Sequence, residues 1–458
     1  MQLTLEQASS MCDGELSSNS DASFIITNVV IDSREVIFGS LFIAIIGESN
    51  DGHRYVYDTL SKYKCAAIVN QTSNLDFPNL IKVNDTTKAI GQLASKYRDM
   101  FDIPIVAITG SNGKTTIKEM FYQVCKVEYG EKKVLASKNS FNNQWGMPLT
   151  LLQLNSEHEV AILEMGMNHH GELDYLTRIA KPTIAVVNNV LLSHAGFFKG
   201  LEDIAKAKGE IYNGLVAGGV ALINNNIPYS NIWQENLKQQ NVKIVNFGDE
   251  TSGIYLKEYN DVGDTIISTP DRDIKLHLQV IGYHNQQNAI TVTALALQLG
   301  CSTVSIVKGL ESFTAYKHRL EQRRCFNGAL IIDDSYNANP DSVKAAILAI
   351  KNLPKPHWLI LGDLAELGDY SSDQHMEIGK FAYENEIDML LTIGELTFIS
   401  GNAYIAEKLE NLEQIQWTHY NSHDEIVKYC KDNLPSNATL LIKGSNSMKL
   451  WQIADNLV

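Results

Sequence analysis

The most constraining stretch of this chain is an apolar run, Ile105-Val106-Ala107-Ile108, followed at once by TGSNGKTT over residues 109–116. A short apolar run bounded by a glycine-rich turn predicts a strand buried on both faces. Ile117 onward reads as a helix, so the turn carries the chain from strand to helix. Gly110 and Gly113 let the backbone aim its N–H groups inward, and the helix N-terminus adds partial positive charge. Thr109, Gly110, Ser111, Asn112, Gly113, Lys114, Thr115 and Thr116 therefore form a candidate nucleotide-phosphate site. Lys114 would neutralise β- and γ-phosphate oxygens, and the Thr115 hydroxyl would ligate Mg2+. The spacing, GxxGKT, is two residues shorter than the common GxxxxGK[ST] loop. A tight turn with an exposed lysine is the plain alternative, but it gives no reason for Lys-Thr-Thr at the helix start.

The rest of the chain organises around that unit. At 458 residues it is too long for one core, and two to three domains are expected. Short β-like runs over 24–31, 41–46, 66–70 and 80–83 predict a small α+β module spanning residues 1–84. A helix over 85–100, capped by Thr86 or Thr87, opens a central domain spanning 85–313. Further apolar strands over 160–163, 183–187 and 219–223 alternate with helices there, which predicts a largely parallel sheet covered on both faces. The same rhythm restarts over 314–458, with strands at 329–332, 358–361, 389–393 and 439–442 and helices at 342–351, 374–384 and 447–456. That is a second doubly wound, Rossmann-like unit. The fold class is α/β in three domains.

Composition excludes several function classes. A net charge of −15 argues against nucleic-acid binding, which needs a basic footprint. A small anionic ligand held by local groups is not excluded. The six cysteines form no CxxC pair and read as small buried apolar residues. No basic-then-apolar leader and no membrane-length apolar run is present, so the cytoplasm is the expected compartment.

Leu163-Glu164-Met165-Gly166 ends a buried strand, where an open parallel sheet places its ligands. A carboxylate there is costly to leave alone, and a cation is its natural partner; a helix-capping glutamate is the alternative. His194 follows another such strand. The pair His169-His170 lacks HExxH spacing and is not a zinc site.

TGSNGKTT is similar to the phosphate loop of the Mur ligase superfamily, the ATP-dependent amide-forming enzymes of peptidoglycan synthesis and the related folylpolyglutamate synthetases. The resemblance covers nearly the whole chain. It implies Mg2+ binding at two sites through Thr115, Glu164, His194 and Lys208, the last as a CO2-derived carbamate. The plain reading of Lys208 is a solvated helix lysine, as neighbouring Lys206 is read. It also implies that Asn288, in Gly282-Tyr283-His284-Asn285-Gln286-Gln287-Asn288-Ala289, reaches the adenine of ATP. Arg319, Asp334 and Asn337 would join the ATP site from the third domain. After His194 the chain has Ala195-Gly196 where the family usually shows Leu-Glu.

Residues 333–340, DDSYNANP, and 361–368, LGDLAELG, closely resemble the branch that adds D-alanyl-D-alanine to UDP-N-acetylmuramoyl-tripeptide. The implied reaction is ATP-dependent ligation through an acyl phosphate, in a monomer with no nucleic-acid partner and no membrane span. At the front, Asp32-Ser33-Arg34 and the GESNDGH string of 47–53 resemble a UDP-binding module, so Ser33, Arg34, Glu48, Asp51, Gly52 and His53 become candidate substrate contacts. Asn142 and Asn143 resemble the substrate loop of the same branch. The Asp-Asn-Pro-Arg selector of the MurE branch is absent. Lys443-Gly444-Ser445-Asn446 departs from the usual K-G-S-R. Other superfamily branches and a catalytically silent nucleotide-binding regulator remain the rival readings.

Overall fold

The structure, a computed structural model, describes the chain apart from residues 49, 139, 140, 193, 194 and 411–415; at 195 and 407–410 it describes the backbone alone. The predicted His194 site therefore lies outside the described residues.

Three mixed α/β layers follow one another along the chain. The first holds a five-stranded sheet in the order Glu15–Leu16, Leu80–Val83, Ala66–Asn70, Ser40–Ile43, Asn28–Val30. The central sheet has six parallel strands in the order Lys243–Phe247, Val220–Asn224, Ile184–Val187, Ile105–Thr109, Val160–Glu164, Val134–Ala136. The third also has six, in the order Glu321–Arg324, Leu330–Asp333, Thr439–Lys443, His357–Gly362, Met389–Ile393, Trp417–Tyr420, with the first antiparallel. Strand–helix alternation buries both faces of such sheets, which explains why Ile105, Val106, Ala107 and Ile108 are all fully buried. Each large side chain so buried contributes about 1.5–3 kcal/mol, which fixes the register and hence the place of the loop that follows.

The cores do not follow the sheet divisions. One apolar cluster runs from Leu3, Ile43 and Ile68 through Ile90 and Leu93 to Leu163 and Leu173, so the first layer and the central sheet share a core. The linking helix is Thr86–Arg98, and its N-cap is Asp85 rather than Thr86 or Thr87. The Asp85 carboxylate accepts from the N–H groups of Thr87 at 2.8 Å and Lys88 at 3.1 Å. Thr86 is unavailable because its hydroxyl donates to the Ala44 carbonyl at 2.9 Å, stitching the helix to the first layer.

Two further departures have local causes. The single terminal helix expected over 447–456 is a 3-10 turn, Asn446–Met448, and a helix, Trp451–Leu457, separated by Lys449 at φ 50°. Tyr255–Tyr259, Asp264–Ser268 and Asp273–His277 form an unforeseen antiparallel sheet whose Ile267, Ile274 and Leu276 join the second core cluster of the central domain. All six cysteines are buried and free.

Candidate nucleotide-binding cleft

The central sheet's order dictates the site. Ile105–Thr109 lies between Val160–Glu164 and Ile184–Val187, with Ile108 paired to Glu164 and Thr109 to Val187. Three carboxyl ends therefore stand side by side, and the phosphate loop rises between Glu164 and Asn188. Here strand order reverses, which is where open α/β sheets bind ligands.

Glu164 is 1% exposed. One carboxylate oxygen accepts from the Thr115 hydroxyl at 2.9 Å, the other from the Asn142 amide at 2.8 Å. Among the described residues it forms no ion pair. A buried carboxylate with only neutral donors beside an exposed cleft has the chemistry of a hard-cation ligand. Across the cleft, Arg319 donates to the Thr115 hydroxyl at 3.1 Å and lies 4.2 Å over the Tyr336 ring. Its Nε is buried without a hydrogen-bond partner among the described residues.

Lys114 donates back to the loop's own carbonyls, Gly110 at 2.8 Å and Ser111 at 3.4 Å. Burial lowers its pKa; Glu164 opposes that shift and Arg319 adds to it. Lys208, on the helix Leu201–Gly209, is 2% exposed, and its side chain has no hydrogen-bond or ion-pair partner among the described residues. Burial first, and then the Lys114 charge, hold its pKa well below the ordinary lysine range. The neutral amine this favours is the form that adds CO2. Lys206, by contrast, is half-exposed and pairs with Glu202 at 2.8 Å.

Gly113 is left-handed, with φ 79°, and a Cβ there would sit 2.8 Å from Asn288 Oδ1 and 2.9 Å from Asn188 Nδ2. The loop can close over those two amides only as glycine. Ser111 is anchored on the opposite side, donating its hydroxyl to the Leu191 carbonyl at 3.0 Å and accepting the Leu191 N–H at 2.9 Å. Asn189 accepts the Asn112 N–H at 2.9 Å and donates to the Asn112 carbonyl at 3.0 Å. Asn188 and Asn189 are not among the residues predicted from sequence, because their place in the site depends on Asn112, far from them along the chain.

The third sheet closes the cleft. Asp334 accepts from Lys443 at 2.6 Å and from the Leu320 N–H at 3.1 Å, while Lys443 also donates to the Asn337 carbonyl at 3.1 Å. Asn446 donates its side chain to the Tyr336 carbonyl at 2.8 Å and its N–H to Asn337 Oδ1 at 3.3 Å. The Gly196 N–H donates to the Glu366 carbonyl at 3.2 Å, and a Cβ on Gly368 would lie 2.9 Å from Gly196 Cα. The small residue at position 196 is thus a docking point for the 364–368 loop.

Together these loops wall a cleft of about 1900 Å3 that also takes in Glu48, Asn142, Asn143 and His284. Ser33, Arg34, Asp51, Gly52 and His53 are not in its wall. Arg34 is exposed and paired with Asp32 at 2.5 Å. Asp51 accepts from the His53 ring at 2.7 Å, and His53 Nε2 accepts the Asn70 N–H at 3.0 Å, which ties the 47–53 loop to its sheet.

Comparison with known proteins agrees along the whole chain. The Mur ligase middle domain model matches residues 108–296, and the Mur ligase glutamate ligase domain model matches residues 318–446. The UDP-N-acetylmuramoyl-tripeptide–D-alanyl-D-alanine ligase of Haemophilus influenzae is 33% identical over 95% of this chain and 94% of its own length. The ligase of the same description from Buchnera aphidicola is 35% identical, over 95% and 93%. Among solved structures, a crystal structure of MurF from Acinetobacter baumannii aligns with a TM-score of 0.91 and 29% identity, covering 100% of this chain and 99% of that one.

Proposed function

This chain belongs to the Mur ligase family, and we propose that it joins D-alanyl-D-alanine to UDP-N-acetylmuramoyl-tripeptide with hydrolysis of ATP. The observation that carries the reading is the cleft lined by Lys114, Thr115, Glu164 and Arg319, in which the Thr115 hydroxyl donates to Glu164 of the central domain and accepts from Arg319 of the third. Phosphoryl transfer asks mainly for that, positioning plus charge stabilisation.

A carboxylate and an amine do not condense unaided at neutral pH, so the acid must be activated. Lys114, turning from the loop carbonyls it now caps, and the N–H groups of residues 110–116 stabilise the γ-phosphoryl group as it passes to the tripeptide carboxylate. The bond from the γ-phosphorus to the ADP oxygen breaks as the acyl-phosphate bond forms. The dipeptide amine then attacks the acyl carbon, loses a proton and expels phosphate. Arg319, held flat by Tyr336, adds positive charge from the third domain. Asp334, Asn337 and Lys443 form the wall beside it, and Asn288 contacts the adenine.

Thr115, Glu164, His194 and a CO2-derived carbamate on Lys208 would hold two magnesium ions, whose chemistry is to neutralise charge on phosphate oxygens. The buried carboxylate of Glu164 and the buried amine of Lys208, neither with an ion-pair partner among the described residues, support that set. Glu48, Asn142 and Asn143 contact the UDP substrate, while Ser33, Arg34, Asp51, Gly52 and His53 shape the module that binds its nucleotide end. The chain works in the cytoplasm as a monomer. Among its described residues, no helix is long and apolar enough to cross a membrane.

The test is ADP release with both substrates. Dependence on D-alanyl-D-alanine supports the reading. Release that needs the UDP-tripeptide with another amine points to a different branch, and no release points to a regulator.

A further inference from the structure

The phosphate loop and the helix Tyr283–Leu299 meet at one side chain, Asn188, which is 5% exposed. Its Nδ2 lies 3.2 Å from the Asn112 carbonyl and 3.1 Å from Asn288 Oδ1, and its Oδ1 accepts the Thr291 hydroxyl at 3.0 Å. The Asn112 carbonyl can only accept, so the Asn188 amide has one workable orientation, with nitrogen toward the loop.

That choice propagates. With Asn188 Nδ2 pointing at it, Asn288 must turn its oxygen to Asn188. Asn288 Nδ2 then donates to Asn285 Oδ1 at 3.3 Å. Asn285 is itself fixed, because its Nδ2 donates to the Ile281 carbonyl at 2.7 Å. Two backbone carbonyls, of Asn112 and Ile281, thus set the Asn288 amide from opposite sides. One Nδ2 hydrogen and one Oδ1 lone pair remain on Asn288 for a ligand. A fixed donor–acceptor pair of this kind matches a 6-amino purine, whose amino group donates beside a ring nitrogen that accepts. A 6-oxo purine would set oxygen against oxygen.

We propose that Asn188 is a positioning residue that locks the Asn288 amide in the orientation reading a 6-amino purine. The proposal rests on the reading above that Asn288 contacts the base. Asn188→Asp puts an acceptor where the donor was and turns Asn288 around; Asn188→Leu keeps the bulk and releases it.

The experiment measures ATP and ITP affinity on the full chain by calorimetry with Mg2+. The two nucleotides carry the same triphosphate, so damage to the phosphate loop or to folding cancels in their ratio. The wild type is expected to prefer ATP by about tenfold or more, and both Asn188 variants to fall below about threefold. A ratio within about twofold of wild type in either folded variant overturns the proposal. Asn288→Ala separates the two readings. If it keeps the ATP preference, the adenine contact itself is wrong; if it loses the preference while the Asn188 variants keep it, only the role of Asn188 is.

Discussion

Asn112 of the phosphate loop and Asn339 of the third domain exchange amide hydrogen bonds in both directions, at 3.2 and 2.7 Å. The contact bridges the central and third domains, both of which are proposed to touch ATP. Asn339 is also the N-cap of the helix Pro340–Ile350, accepting the Ser342 N–H at 2.9 Å. Serine caps helices about as well as asparagine but cannot return both bonds. Asn339→Ser should therefore lower kcat/KM for ATP about tenfold at little cost in Tm; if, as expected, nucleotide analogue and UDP substrate draw the third domain onto the central one, X-ray scattering should show a smaller compaction in the variant than in the wild type. Wild-type kinetics in that variant would show that the pair plays no part in closure.

Lys114→Ala removes the charge proposed to stabilise the transferring phosphoryl group. Turnover should fall by about a hundredfold or more, the scale of losing one preorganised electrostatic contact. Steady-state ADP release measures this, and a near-normal rate would contradict the assigned role.

Lys208 carries a pKa prediction with a definite sign. Its folded pKa lies well below the ordinary lysine value of 10.5 because of burial and then Lys114. The unfolded chain thus binds a proton the folded chain does not. This lysine costs stability progressively as pH falls from the ordinary lysine value to its folded value, and by a constant amount below that. Carbamylation traps the neutral amine, so added bicarbonate should raise Tm at pH 7–8 and give a carbamate signal with 13C-bicarbonate by NMR. Lys208→Ala should abolish both effects. Full activity in CO2-free buffer with no such signal would remove the carbamate.

Asp363, in the 361–368 string, accepts the N–H groups of Leu396 at 3.0 Å and Thr397 at 2.8 Å, capping the helix Thr397–Glu410. Asp363→Ala should cost about 1 kcal/mol in denaturant unfolding while ATP affinity stays within about twofold. A large loss of affinity at unchanged stability would make this aspartate a ligand contact instead.

Much of the site was legible because its chemistry is local. Residues 105–117 carry their own strand, turn and helix signals, and Glu164 ends an apolar run that could only be a strand. What escaped depends on neighbours distant in sequence. Asp85 out-competed Thr86 as a cap because Ala44 engages the Thr86 hydroxyl. Asn188 matters through Asn288, Thr291 and Asn112, none of them close to it along the chain. Of the strands between 255 and 277, Tyr255–Tyr259 shows no alternation, whereas Asp273–His277 alternates exposed and buried residues and carried a period-two signal in its sequence. Arg34 and His53 carry the right motif, yet are engaged by Asp32, Asp51 and Asn70 rather than facing the cleft.

The central claim, that this cleft activates one carboxylate for one amine, is tested most directly by coupled ADP release from the purified chain with ATP, Mg2+ and UDP-N-acetylmuramoyl-tripeptide. Adding D-alanyl-D-alanine should raise the rate from near background to steady turnover, with one pentapeptide formed per ADP. ADP release that ignores the dipeptide, or dipeptide consumed without ADP, would contradict it.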